Sequence, residues 1–176
     1  MAGIDAQWQA DPDDMQGIAR QNGGMRYLIT VIDVFSMFAW VVQVHFNDAK
    51  AITAAVDQVL TAAQPRHTRC LQTDNGKEFF HLNFADLMKR YYIQHFASES
   101  DQKAAVMNRL NRTIKTKIWT YLSDRGTVRL VEVIQDLVDA YSHSHYRSIG
   151  MAQPDVQTMD EDRLWVLLFG DGDTHL

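Results

Sequence analysis

Arg69-Cys70-Leu71-Gln72-Thr73-Asp74-Asn75-Gly76-Lys77-Glu78-Phe79 carries a strand that stops on an aspartate. Residues 69–73 read as extended, and the Asn75-Gly76 pair behind them turns the backbone sharply, because Asn and Gly tolerate the conformations a tight turn needs. Asp74 therefore stands at a strand end, where sheets of α/β proteins collect their chemistry.

Upstream, Tyr27-Leu28-Ile29-Thr30-Val31-Ile32 and Ala39-Trp40-Val41-Val42-Gln43-Val44 are β-branched and aromatic runs separated by a short connection, the pattern of an antiparallel hairpin. Gln7-Trp8-Gln9-Ala10-Asp11 reads as a strand before them, with Asn22-Gly23-Gly24 supplying turn chemistry between. Asp48 is placed to cap a helix whose apolar face is Ile52, Ala55, Val56, Val59 and Leu60, and Pro65 closes it. Downstream, Phe84, Leu87, Met88 and Tyr91 line a short helix, and Ile93–Phe96 reads as a fifth strand. Two long helices follow, one striped by Val106, Leu110, Ile114 and Ile118 and the other by Leu130, Val131, Ile134, Leu137, Val138 and Tyr141. This order predicts an α/β domain with a five-stranded mixed sheet flanked by helices, over residues 7–154. Residues 155–176 form a tail whose apolar segment, Leu164–Phe169, reads as an edge strand or the start of a truncated next domain.

The 176 residues, 46% of them hydrophobic, suffice for one sizeable core. A net charge of -5 is unlike that of a protein that wraps nucleic-acid phosphates with its whole surface, so contact with DNA requires a local basic patch. Lone Cys70 makes no internal disulfide, which fits a reducing compartment, nuclear or cytoplasmic. No apolar run reaches membrane-spanning length, and the first residues lack the order of a signal peptide. His143, His145 and His175 lack zinc-ligand spacing and read as surface or interface positions; Met88, Tyr91, Phe96 and Trp119 fall on apolar stripes and read as core.

If the strands of Asp11 and Asp74 are neighbours, their carboxylates converge on one point. Hard oxygen donors of this kind suit Mg²⁺ or Mn²⁺, ions that assist in-line phosphoryl transfer. From spacing alone the plainer reading, two caps or turn residues among 22 acidic residues, is the commoner one. Arg109, Arg112 and Lys115 recur every three residues beside Asn108 and could form a DNA-facing ridge or an ordinary solvated face; Lys77, beside Asp74, could meet a phosphate.

Local sequence changes that weighing. Leu71–Phe79 closely resembles the second catalytic segment of integrases, Trp8-Gln9-Ala10-Asp11 the first, and Lys103–Lys115, with its Asn108-Arg109-Leu110-Asn111-Arg112-Thr113-Ile114-Lys115, the third. The resemblance runs over residues 7–156 and is nearest to integrases of retrotransposons and Polinton-type transposons, or host genes derived from them. It implies a ribonuclease H-like fold, two Mg²⁺ or Mn²⁺ ions held by an Asp, Asp, Glu triad, 3′-end processing and strand transfer of viral or transposon ends into target DNA, and a homodimer or higher oligomer.

The chain departs from that pattern twice. Asn108 stands where the family places its glutamate, so the catalytic set becomes Asp11, Asp74 and Asn108, with only the two aspartates as charged metal ligands. A neutral amide is a weaker ligand for a hard cation, and catalysis is expected to be impaired; the alternative is an inactivated or domesticated core acting as a DNA- or protein-binding dimerisation module. Glu99 and Asp101 are upstream candidates for a replacement. Pro12 follows Asp11 in an expected central strand, where it removes a ladder donor, and leaves Asp13 or Asp14 as alternatives for the first ligand. The apolar face of residues 130–141 is a candidate dimer surface, or is buried internally.

Overall fold

The computed structural model describes residues 3–97, 105–143, 145–146, 151–152 and 157–169. Five strands, β1 (Gln7–Asp14), β2 (Tyr27–Asp33), β3 (Ala39–Val44), β4 (Cys70–Thr73) and β5 (Gln94–Ala97), form one sheet in the order β3-β2-β1-β4-β5. The first three pair antiparallel, and β4 and β5 run parallel to β1, so the sheet is mixed as expected. Helices α1 (Ala49–Ala62), α2 (Leu82–Arg90), α3 (Ala105–Arg125) and α4 (Ile134–Ser142) flank it. A two-stranded ribbon, β6 (His145–Tyr146) with β7 (Met151–Ala152), and α5 (Glu161–Phe169) follow.

Strand alternation divides the core into two layers. Trp8, Ala10, Ile29, Val31 and Leu71 face α1 and α2, where Ile52, Val56, Val59, Phe84 and Leu87 are buried against them. Leu28 and Ile32 face the other way, onto Leu110, Ile114 and Ile118 of α3 and Ile134, Val138 and Tyr141 of α4. Helix α1 begins where Asp48 accepts a hydrogen bond from Ala51 N (2.8 Å), and its buried residues are the five the periodicity names.

Three expectations change, and one alternative left open is decided. Helix α4 starts at Ile134, not near 130, and has only nine residues; buried Leu130 and exposed Val131 precede it. Asn22 explains why: its Nδ2 donates to Ile18 O and Val128 O (2.8 and 2.7 Å), and its Oδ1 accepts from Leu130 N and Val131 N, holding that segment out of helical geometry. Leu130, Ile134, Val138 and Tyr141 pack inside the core, so the 130–141 face is buried internally. Trp119 lies half in solvent on α3 (51% exposed) instead of in the core. The tail segment 164–169 is helical, within α5, and Glu161 at its start accepts a hydrogen bond from Ile4 N (3.0 Å).

Pro12 fits without breaking the sheet. Along β1 the odd residues face β2: Gln7 O accepts from Val34 N, and Met15 N donates to Arg26 O. Proline's missing donor thus points toward β4, whose pairing with β1 has already ended at Gln9↔Gln72.

Candidate active site

The face of the sheet beneath α3 is not uniformly apolar. Because Trp8 and Ala10 point to α1, Gln9, Asp11 and Asp13 point to α3. Thr30 of β2 pairs with Asp11, and the parallel ladder of β1 on β4 (Gln7↔Cys70 to Gln9↔Gln72) ends just before both aspartates, which leaves Asp74 near enough for its charge to act on Asp11. Gln9 Nε2 donates to Gln72 Oε1 (3.0 Å), so the two strands are joined by side chains as well as backbone just before the aspartates.

Asp11 is partly buried and held from above. Asn111 Nδ2 donates to Asp11 Oδ2 (2.7 Å), and Thr30 Oγ1 donates to Asn111 Oδ1 (2.8 Å), so one amide bridges α3 to two strands. Burial, then the charges of Asp74 and Asp13, raise the Asp11 pKa to about 6, against the smaller opposing effects of Asn111 and Lys115. A carboxylate pushed up by neighbouring carboxylates marks a site that gains from an added cation. Asp74 is exposed at the end of β4; its Oδ1 accepts from Gly76 N (2.9 Å), the turn that the Asn-Gly pair announces. Thr73 Oγ1 donates to the Asp74 carbonyl (2.8 Å), which leaves His95 Nε2 as donor to Thr73 Oγ1 (2.9 Å). Phe80 and Phe84 flank that imidazole, and burial lowers its pKa.

Asp13 is buried at 6% exposure, and its Oδ1 pairs with Lys115 Nζ at 2.5 Å, while Asp14 is exposed and accepts from Gln16 N. Asn108 is exposed on α3, seven residues before Lys115 and so nearly eclipsed with it along the helix. The amide that touches Asp11 is that of Asn111, three residues further on. Arg109 and Arg112 are exposed on the flank of the same helix, and Lys77 is exposed beside Asp74. Lys115 has Asp13 as a partner that the spacing did not reveal. Glu99 and Asp101 lie outside the described residues. Among the described residues no three carboxylate, histidine or cysteine side chains already converge on one metal position.

The profile of the integrase core domain matches residues 5–103, more than half of the chain, and takes in both Asp11 and Asp74. The chain belongs to the integrase core domain family. The match ends before α3, so it does not bear on position 108. A transposon-derived protein of Caenorhabditis elegans is 27% identical to this integrase core over 146 residues, 83% of the chain. The chain spans about half (51%) of that relative's length. The core also superimposes on the simian T-cell lymphotropic virus intasome, solved with the PP2A regulatory subunit B56 gamma, with a TM-score of 0.76, 14% identity and coverage of 87% of this chain and 54% of that one. On the HTLV-2 integrase catalytic core, solved in complex with magnesium, the TM-score is 0.70, with 18% identity and coverage of 87% and 96%. These likenesses establish the ribonuclease H-like fold.

Asp11, Asp74 and the helix that lies over them are legible in the sequence. The roles of Asn111, Thr30 and His95 are not, nor is the pairing of Asp13 with Lys115. The four-residue spacing of Asn111 and Lys115, against the two-residue spacing of Asp11 and Asp13, was a usable signal: about 6 Å of helix rise tracks about 6.7 Å of strand.

Proposed function

We propose that this chain is the catalytic core of a DNA integrase of transposon type, built for 3′-end processing and strand transfer, with Asp11 and Asp74 as the metal-binding carboxylates and with activity impaired by Asn108. The observation that carries the reading is Asp11 itself: partly buried, within reach of the charge of Asp74, fixed by Asn111, and raised to about 6 by burial and neighbouring carboxylates. The donor set fits a hard divalent cation, Mg²⁺ or Mn²⁺, held by Asp11 and Asp74. Such an ion, when bound, supplies charge to the attacking and leaving oxygens of a phosphodiester.

The chain's own residues do the rest. Asn111, itself held by Thr30, fixes Oδ2 of Asp11 and with it the orientation of the carboxylate. The Thr73–His95 relay fixes the peptide that presents Asp74. Arg109, Arg112 and Lys77 are placed to meet DNA phosphates around that centre, which suits transposon or viral ends and target DNA as partners. Residues 7–154 form the core, residues 155–176 a tail, and the assembly is a homodimer or higher oligomer working in the nucleus or cytoplasm.

Replacing a carboxylate by an amide at 108 removes one negative charge from the site, so the second metal loses charge compensation. Nicking and strand transfer, measured in Mg²⁺ and in Mn²⁺, should therefore be weak in the unaltered chain, rise at least a hundredfold in Asn108→Glu, and vanish in Asn108→Glu/Asp74→Asn. Robust activity of the unaltered chain that is lost in Asp74→Asn would overturn the impairment. A second reading, a binding and dimerisation module without catalysis, is favoured by the amide at 108 beside an intact fold. It predicts DNA binding and a dimer by light scattering even where Asn108→Glu restores nothing.

A further inference from the structure

One carboxylate remains that the two-aspartate site does not use. Asp13 lies two residues beyond Asp11 on the same face of β1, beneath α3, and its side chain is 8% exposed. Its Oδ1 takes the ammonium of Lys115, but its Oδ2 is buried and has no hydrogen-bond partner among the described residues. A buried carboxylate oxygen left without a donor is costly, and sequences keep such an atom where something else occupies it. A single ammonium on an exposed helix face, itself 40% exposed, is a poor match for a carboxylate sunk this far, and a divalent cation shared with Asp11 is a better one.

Resting on the metal-centre reading above, we propose that Asp13 is a third carboxylate ligand of the site, supplying from β1 the negative charge that Asn108 no longer supplies from α3, with Lys115 as its built-in competitor for the cation. Lys115 stands four residues after Asn111 on the helix, as Asp13 stands two after Asp11 on the strand, so the helix that fixes one aspartate also neutralises the other. Metal uptake and the Asp13–Lys115 pair then exclude each other, and weakening one strengthens the other.

The test is Mn²⁺ binding by the full chain, followed by calorimetry and by electron paramagnetic resonance of free Mn²⁺, without DNA. Lys115→Met should tighten binding severalfold. The double variant Lys115→Met/Asp13→Asn, near in shape and free of any unpaired buried charge, should bind at least tenfold more weakly than the unaltered chain. If the double variant binds Mn²⁺ as the unaltered chain does, while Asp11→Asn and Asp74→Asn abolish binding, Asp13 is only the counter-ion of Lys115 and the proposal falls alone. If the chain takes up no Mn²⁺, or if Asp11→Asn and Asp74→Asn bind it unchanged, the metal-centre reading fails and the proposal with it.

Discussion

At Asp11 the folded protein works against its own stability. A carboxyl group whose pKa is raised from 3.8 to about 6 holds its proton more tightly in the native state than in the unfolded chain. Between those two values the native state binds more protons, so stability falls as pH rises through the window and the penalty is fully present above about 6. Asp11→Asn keeps the hydrogen bond from Asn111 Nδ2 and removes the charge. The variant should therefore be more stable than the unaltered chain at pH 7.5, by about 1 kcal/mol or some 2–4 °C in Tm. The gain should shrink to nothing near pH 4, where both are neutral. Thermal unfolding followed by circular dichroism at the two pH values decides this; equal Tm differences at both would mean that Asp11 is not held in the raised state. The opposite sign, a loss of stability at pH 7.5, would place a compensating cation on Asp11 even in the purified protein. The residues that set this state were legible only in part. Asp11 and Asp74 stand in recognisable strand-end contexts, whereas Asn111 is named by contact with Asp11 across a hundred residues of chain.

Among the elements, those with strong local periodicity were readable and those shaped by a distant side chain were not. Strand β3 and the buried stripe of α1 follow directly from alternation and from the i, i+3, i+4 pattern. The apolar positions of 130–141 satisfy the same helical template, yet the first turn and more of it is not helix, because Asn22, more than a hundred residues away, engages the backbone of 128–131. All four hydrogen-bonding positions of that amide are used. Asn22→Ala would orphan a buried Leu130 N–H and two carbonyls, at a cost of about 3 kcal/mol. Asn22→Asp, which keeps the acceptor but loses the donors, should lose nearly as much. Losing the cap of α1 is milder: Asp48→Ala should cost about 1 kcal/mol. Denaturant midpoints rank the three, and an Asn22→Ala variant no less stable than Asp48→Ala would show that the α3–α4 connection does not depend on this tether.

For the whole molecule the decisive feature is that one face of the sheet is sealed by α1 and α2 with mainly apolar side chains, while the other carries a polar seam under α3. That arrangement makes α3 both a lid on the core and the helix that presents charge to a substrate, and it divides its cations into two kinds. Arg112 is exposed, whereas Lys115 spends its charge on Asp13. In a chain of net charge -5, binding to DNA must rest on a few such residues, and each phosphate they neutralise should appear as about one unit in the slope of log K against log salt. Arg112→Ala is expected to weaken binding alike for all duplex sequences and to flatten that slope by about 1, as a phosphate contact does. Lys115→Met should leave the slope unchanged, since the charge it removes is already balanced by Asp13 within the protein. Fluorescence anisotropy with a labelled duplex, titrated at several salt concentrations, separates the cases. Equal flattening by both variants would mean that the Asp13–Lys115 pair opens when DNA binds, and a slope of zero in the unaltered chain would remove α3 from the DNA interface altogether.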